Sequence, residues 1–351
     1  VTPDLVVIGG GPVGLATALL AARAGLVPVV LEPRTTPLDK ACGEGLMPGA
    51  VGALTALGVD VGGHPFAGIR YVDGQRSVEA RFRGGSGRGV RRTELHTALA
   101  EAVGRAGIAI LPSAMTGLSQ DESGVDVEVG GPRGSAPRVV RARFVVAADG
   151  LHSPTRRLLD LEVERRGVRR YGLRRHFRIA PWTDLVEVHW SPTSEAYVTP
   201  VGEGEVGVAL LGTRRGSWQE RLADFPALAG RLACVEPASE VMGAGPLRQR
   251  VRSRRAGRVL LVGDAGGYVD ALTGEGLAVG LAQAREAVAA LGKGRPQDYP
   301  RAAARVSRRS GALTAGLLAA TRTSPGRRVV LGAAHRQPWL FQRAVDLLAH
   351  D

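Results

Sequence analysis

Cysteine and lysine are almost missing from this sequence. Two cysteines, Cys42 and Cys234, stand in 351 residues, too few for a disulfide framework, and no Cys/His cluster has metal-ligand spacing. That excludes a disulfide-stapled scaffold or a zinc module and fits a reducing compartment. Lysine occurs only as Lys40 and Lys293, so all but two of the 46 basic residues are arginine, against 33 acids and a formal net charge of +13. So complete a bias resembles genome composition more than a binding surface. Aromatic residues are only 4% of the chain; they are too sparse to stack bases, and no nucleic-acid motif accompanies the arginine clusters such as Arg169 to His176. No apolar run approaches the roughly 18 residues a membrane span needs, and the first residues enter an apolar run with no basic leader or cleavage signature. The expectation is a cytoplasmic protein with no nucleic-acid partner; nothing in the pattern specifies an oligomeric state.

Glycine, by contrast, is abundant at 49 residues, and its first cluster is informative. Asp4 to Gly9 is a short apolar, β-branched run; Gly9, Gly11, Pro12 and Gly14 follow, then a helical stretch from Leu15 to Ala24, then a second run, Val27 to Leu31, closing on Glu32. Strand, glycine turn, helix, strand and acid are in the order of a dinucleotide-binding βαβ unit. Gly9 permits the tight turn, Gly11 lets backbone amides approach a pyrophosphate, and Gly14 lets helix and strand pack closely. Glu32 can take two ribose hydroxyls, which favours FAD or NAD over NADP, and Arg34 beside it either reaches the nucleotide or is solvated.

Two later segments narrow the cofactor. Arg141 to Gly150 reads as a strand ending in Asp149-Gly150, and Arg258 to Ala265 as a strand ending in Gly263-Asp264, after which Gly274 and Gly276 open a helical run from Leu277 to Leu291. Asp264 suits a ribityl hydroxyl, and the helix N-terminus suits the electron-rich edge of a reduced flavin.

These three fingerprints, in this order, resemble those of the para-hydroxybenzoate hydroxylase superfamily of FAD enzymes, over about residues 4 to 292. The resemblance implies an α/β fold. An FAD-binding doubly wound (Rossmann-like) domain covers 1–64, 88–166 and 254–300, an inserted, mostly antiparallel substrate domain 65–87 and 167–253, and a C-terminal helical segment 301–351. It also implies that Arg92, leading the run Arg92 to Leu99, contacts FAD, that Met115 lies near adenine, and that NADPH or NADH reduces the flavin from a transient surface site near Asp149 and Arg156. The segment Gly263 to Gly276 resembles the geranylgeranyl reductase-like branch, except that Ala271 stands where proline is usual.

In the substrate half, Phe66 to Phe82 alternates like a hairpin around Asp73-Gly74. Alternating runs at Leu173 to Ile179, Val186 to Trp190, Ala196 to Thr199 and Val206 to Leu211 predict a sheet, covered by a helix from Trp218 to Leu232. Tyr197 is a candidate substrate contact. Tyr71, His176, His189 and Trp190 are candidates to orient a phenol or enol, a histidine also to act as general base; ordinary packing is the alternative for each. Beyond Pro300 two helices are expected, Arg301 to Thr321 and Pro338 to His350, joined by a Pro-Gly-Arg-Arg break. The second carries an apolar stripe that either caps the substrate cavity or docks on a membrane.

The stretch Lys40 to Gly49 resembles the Cys-Gly-x-Gly-Leu loop that lines the reductase-like active site, so Cys42 and Glu44 are expected to touch flavin or substrate, with Gly43 and Gly45 lying against them. Cys42 has no adjacent histidine to activate it. Three outcomes follow from the resemblance: hydroxylation of an electron-rich phenolic, lipidic or polyketide-derived substrate by O2 through a flavin C4a-hydroperoxide, reduction of an isolated alkene, or halogenation. The first is favoured because Tyr171 to His176 and Tyr197 to Pro200 resemble small actinobacterial-type hydroxylases acting on alkylresorcinol-like products. The third is disfavoured, although Gly43 to Pro48 resembles the halogenase Gly-Glu-Ser loop, because residues 68–76 lack the halogenase lysine. A non-catalytic flavin-fold module is the remaining alternative, and no metal is expected.

Overall fold

The computed structural model describes residues 2–130, 138–164, 168–272, 274–321, 323–337, 339, 341–343 and 345–346. At its centre the strand Leu5–Ile8 pairs in parallel with Pro28–Leu31 and with Phe144–Ala147; Ala109–Leu111 and Val259–Leu261 extend the parallel set, and Arg255–Ala256 closes one edge antiparallel. All four residues of the central strand are buried. They form an uninterrupted apolar run because both faces of a parallel sheet are covered. Leu5 and Val7 face the helices Pro12–Arg23, Arg92–Arg105 and Gly276–Gly292. Val6 and Ile8 face a three-stranded antiparallel sheet, Met115–Gln120, Val125–Val129 and Arg138–Ala142.

That small sheet corrects the reading of Arg141 to Asp149 as one strand. The chain leaves the three-stranded sheet after Ala142 and enters the six-stranded one at Phe144.

A second, seven-stranded sheet runs in the order Met242–Ala244, Tyr171–Phe177, Glu205–Gly212, Ser194–Gly202, Leu185–Trp190, Gly68–Asp73 and Arg76–Arg81. All its pairings are antiparallel except that of Leu185–Trp190 with Gly68–Asp73. The expected hairpin is there, turning through Gly74 and Gln75 so that Asp73 pairs with Arg76. The outer face buries Ala196, Val198, Val206, Val208 and Leu210 beneath Trp218, Phe225, Leu228 and Leu232. The covering helix is in fact two, Trp218–Leu222 and Pro226–Leu232, because Pro226 has no amide to continue the first and instead starts the second.

The C-terminal reading also needs correction. A helix Tyr299–Thr321 is followed by another, Ser324–Arg336, and Pro325 with Gly326 lies inside the latter's first turn, where the Thr323 hydroxyl caps the Gly326 amide at 3.2 Å. The expected helix Pro338 to His350 falls largely outside the described residues; Phe341 and Val345 are seen packed on the inner face of the seven-stranded sheet.

Candidate active site

The glycine turn folds as its spacing requires. Gly9 ends the central strand at φ +103°, and a β-carbon there would lie 2.6 Å from the carbonyl oxygen of Ala148. A β-carbon on Gly14 would lie 1.8 Å from the Gly9 carbonyl oxygen, so helix and strand touch backbone to backbone. Gly11 is the N-cap of Pro12–Arg23, with Pro12 in the first turn. Beside Gly11 the space is open: its β-carbon would meet only a terminal nitrogen of Arg92, at 3.9 Å. His96, one helical turn after Arg92, braces the turn from beneath through its Nε2 and the Gly10 carbonyl oxygen, 3.0 Å apart.

Glu32 is buried and fully engaged. Its Oε2 accepts from the Gly10 amide at 2.9 Å and from Arg34 Nη2 at 2.8 Å, while Oε1 accepts from the Arg34 amide and Nε at 3.0 and 2.8 Å. Burial alone would raise its pKa, but Arg34 and the two amides outweigh burial and hold the carboxyl below its ordinary value. These four bonds use all the lone pairs of the carboxylate. A ribose diol would therefore exchange with the Arg34 guanidinium rather than add to it.

Asp149 Oδ2 accepts from the Thr155 amide at 2.9 Å, and its buried Oδ1 has no partner. Lys40 Nζ stands 3.5 Å from Asp264 Oδ2 and 3.6 Å from where a β-carbon on Gly150 would be. One of the two lysines thus joins the second and third fingerprints, a role that nothing in its sequence neighbourhood marks. Arg156, expected near a surface site for the nicotinamide nucleotide, does not itself reach the surface. Its side chain is wholly buried, donating to the carbonyls of Ala265 and Leu151 at 3.1 and 2.8 Å and to Gln249 Oε1 at 3.0 Å. It ties the Asp-Gly and Gly-Asp segments together from inside. Gly276 opens the helix Gly276–Gly292 against the Tyr268 ring, and Gly274 precedes it at φ +70°. Met115 starts its strand opposite Val129 and packs with the small sheet's core.

The loop 39–46 is held by the second sheet. Glu44, at φ +59° though not a glycine, is buried; its Oε2 lies 2.6 Å from His176 Nε2, its Oε1 accepts from the Arg92 amide at 2.9 Å, and its carbonyl accepts from the Val90 amide. Thr199 Oγ1 donates to the Gly43 carbonyl at 2.8 Å, and Arg174 pairs with Asp39. Gly207 makes room for Glu44, since a β-carbon there would sit 3.0 Å from Oε2. Cys42 is exposed, accepting only from the Glu44 amide at 3.4 Å, and Gly45 begins the short strand Gly45–Leu46 beside Phe66 and Val186.

Inward from the second sheet face Tyr71, Val188, Trp190 and Tyr197, packed with Leu151 and Leu272 of the loops that follow Asp149 and Asp264. The Tyr71 ring lies 5.0 Å from Trp190 and 5.7 Å from Phe341, and burial pushes the Tyr71 hydroxyl up to about 12. Tyr197 donates to the Leu272 carbonyl at 2.8 Å. Trp190 is buried, and its Nε1 has no partner. His189 is a correction: it pairs with Ala196 on the outer face, bonded to Glu187 at 3.1 Å, because neighbours on a strand point to opposite sides and Trp190 takes the inner one. At the far end of the inner face Arg170 bridges Glu195 at 2.5 Å and Asp270 at 2.9 Å. Arg170 and Arg174, part of the arginine cluster from Arg169 to His176, are thus internal ion-pair partners.

These residues fit FAD. The open cradle at Gly11 and two buried polar atoms without partners, Arg92 Nε and Asp149 Oδ1, lie where a charged, hydroxyl-rich dinucleotide would satisfy them. No metal-ligating cluster of three or more His, Cys, Asp or Glu occurs among the described residues.

Comparisons with known proteins agree with that fit. A family model described as an FAD binding domain matches residues 2–294. A menaquinone reductase of Mycobacterium tuberculosis is 31% identical over 319 residues, covering 82% of this chain and 76% of its own. A digeranylgeranylglycerophospholipid reductase of Methanopyrus kandleri is 27% identical over 79% of this chain and 74% of its own. A 3-(3-hydroxy-phenyl)propionate/3-hydroxycinnamic acid hydroxylase of Mycobacterium avium is 32% identical, but over 46% of this chain and 31% of its own. Among solved structures a flavin-dependent brominase superposes with a TM-score of 0.86 at 16% identity, over 100% of this chain and 94% of its own; a likeness at that identity speaks to the fold alone.

Proposed function

This chain belongs to the FAD binding domain family, the flavoproteins resembling para-hydroxybenzoate hydroxylase, and from that premise we propose that it is an FAD-dependent oxidoreductase that reduces a double bond in an isoprenoid lipid, with NADPH or NADH as the electron source. The observation that carries this reading is the inner face of the second sheet: an apolar, aromatic wall of Tyr71, Val188, Trp190 and Phe341 with a buried donor, Trp190 Nε1, that no atom of the described residues satisfies. Such a wall buries a hydrocarbon chain and leaves Trp190 Nε1 to donate to a polar group on it. The two reductases above, whose names denote polyprenyl lipids, match about four-fifths of this chain, whereas the hydroxylase matches less than half of it.

Bound FAD would supply two-electron reducing chemistry at this face. The chain's own residues do the rest. The amides after Gly11 and the guanidinium of Arg92 would hold the pyrophosphate, and Asp149 and Asp264 would hold sugar and ribityl hydroxyls. The loop 39–46, fixed by Glu44, walls the crevice, while Tyr197 fixes the Leu272 carbonyl. The apolar wall keeps water out, which strengthens each hydrogen bond made inside.

Hydroxylation of a phenolic lipid with O2 as co-substrate is the second reading, favoured by the M. avium hydroxylase relative. It is weakened by the histidines: His176 Nε2 is taken by Glu44 and His189 faces outward, so neither offers a ring nitrogen to deprotonate a phenol. Purified holoprotein given NADPH and a panel of polyprenyl quinones and alkylresorcinols separates the two. The reductase reading expects equal turnover with and without oxygen and a product gaining two hydrogens; oxygen uptake matched to a product gaining one oxygen atom overturns it in favour of hydroxylation.

A further inference from the structure

From Tyr299 to Val345 the sequence contains nine arginines and no acid. It is the longest acid-free stretch of the chain, although shorter runs such as residues 165–178 and 248–258 are denser in arginine. The structure arranges it by helix face. On Tyr299–Thr321, Arg301, Arg305 and Arg308 are exposed at spacings of four and three, hence on one side. On Ser324–Arg336 the buried or half-buried side carries Arg327, Val330 and Ala334, and Val330 packs on the seven-stranded sheet's inner cluster. The opposite side shows Pro325, Arg328, Val329, Ala333 and Arg336 to solvent, and Trp339 follows it. Val329 is 68% and Trp339 60% exposed, the two most exposed large apolar side chains in the described residues.

We propose that this face of Ser324–Arg336, together with Trp339, seats the protein on an anionic phospholipid bilayer, lying in the headgroup layer without crossing it. Arginines beside apolar side chains on one helix face are the pattern of an interfacial helix: the guanidinium groups meet phosphates while valine and tryptophan enter the acyl boundary. Tryptophan suits that level because its ring is apolar and its N–H polar. No helix of the described residues is long and apolar enough to cross a membrane, so the contact is peripheral. Its position is also informative. Phe341, two residues beyond Trp339, packs edge-on against Tyr71, so the proposed lipid face borders the apolar wall described above. A surface tuned for nucleic acid would expose stacking aromatics along a basic track, whereas the exposed face described here carries one aromatic ring, that of Trp339.

The test uses the full chain with FAD bound, mixed with vesicles of phosphatidylcholine with or without a minority of phosphatidylglycerol. Co-sedimentation is expected with the anionic vesicles only and should weaken with salt. Brominated lipids should quench part of the tryptophan emission, and Trp339→Phe should abolish that part while leaving the flavin spectrum unchanged. The double reversal Arg328→Glu with Arg336→Glu should weaken vesicle binding by at least about thirtyfold, about fivefold for each arginine charge lost, with flavin retention as the control for folding. Absence of binding to anionic vesicles at low salt overturns the proposal. So does salt-sensitive binding to DNA or RNA without vesicle binding, or a dimer that these substitutions dissociate while vesicle binding is nil.

Discussion

Glu44 and His176 meet at 2.6 Å although 132 residues separate them. Glu44 belongs to the loop beside the glycine-rich crevice and His176 to the inner face of the second sheet, so the contact sets the position of one part against the other. His176→Ala leaves Glu44 Oε2 buried with that partner gone, at a cost of about 1–3 kcal/mol. The same variant should loosen the loop 39–46, seen as faster flavin loss on dilution. In a double-mutant cycle of Glu44→Gln with His176→Ala, thermal unfolding should reveal a coupling of about 0.5–3 kcal/mol; strictly additive effects would show that the pair does not act together.

Trp190 supplies a second prediction. Its Nε1 is buried without a partner, so Trp190→Phe removes an unsatisfied donor and should leave the melting temperature unchanged or raise it. If the donor serves substrate, KM should rise about fivefold, the worth of one neutral hydrogen bond of about 1 kcal/mol. Unchanged KM across the lipid panel would remove Trp190 from the site.

For Cys42 the expectation is tolerance. Its sulfur is exposed and accepts a single hydrogen bond, from the Glu44 amide at 3.4 Å, which a serine oxygen can also accept. Cys42→Ser should keep FAD and most turnover; complete loss of turnover with flavin still bound would give the sulfur a chemical role.

What was legible in the sequence was local. Gly9, Gly11 and Gly14 follow one apolar run and precede another, and strand, turn and helix form there as the pattern demands because neighbouring residues settle the matter. The two faces of the second sheet were partly legible too: His189 and Trp190 are adjacent in a strand, so alternation alone forbids placing both in one cavity. The partners of Glu44, Arg170 and Arg156 were not legible. Arg156 and Arg157 are adjacent arginines in one short helix, the first buried and the second exposed, and only the carbonyls contributed by Leu151, Asp264 and Ala265 decide which. Lys40 likewise gains its role from two distant turns that converge on it.

Acid should probe Glu187 on the outer face. Burial alone would raise its pKa, but hydrogen bonds from His189 and Trp182, the charge of His189 and a hydrogen bond from Arg70 reverse this and hold it down to about 2. A carboxyl lowered on folding contributes stability that is complete above its ordinary value, near 4.5, and is lost as the pH falls towards 2. With Arg70 one-third exposed at 32%, we discount the full shift to about 2 kcal/mol. Glu187→Gln should therefore flatten the acid limb of the urea-unfolding stability curve between those pH values and leave its shape above pH 5 unchanged; an acid limb as steep as that of the natural protein would assign the loss to other carboxyls.

Arg170 holds two buried carboxylates, Glu195 at 2.5 Å and Asp270 at 2.9 Å. Asp270 follows the Gly263-Asp264 turn by six residues, so this bridge anchors the crevice loop to the second sheet, in series with Tyr197 and the Leu272 carbonyl. Burial raises the Asp270 pKa and Arg170 opposes it. Removing the cation should therefore drive a proton onto one of the two acids rather than leave both ionised. Arg170→Met should cost about 3–5 kcal/mol at neutral pH, the penalty for an uncompensated buried charge. Because a folded-state pKa raised still further penalises the ionised form, the variant should recover stability as the pH is lowered from 7 towards 5, where the natural protein should change less. The triple change Arg170→Met, Glu195→Gln, Asp270→Asn should restore most of the lost stability, since no buried charge remains. A triple variant as unstable as Arg170→Met alone would assign the damage to lost packing of the arginine side chain instead of to its charge.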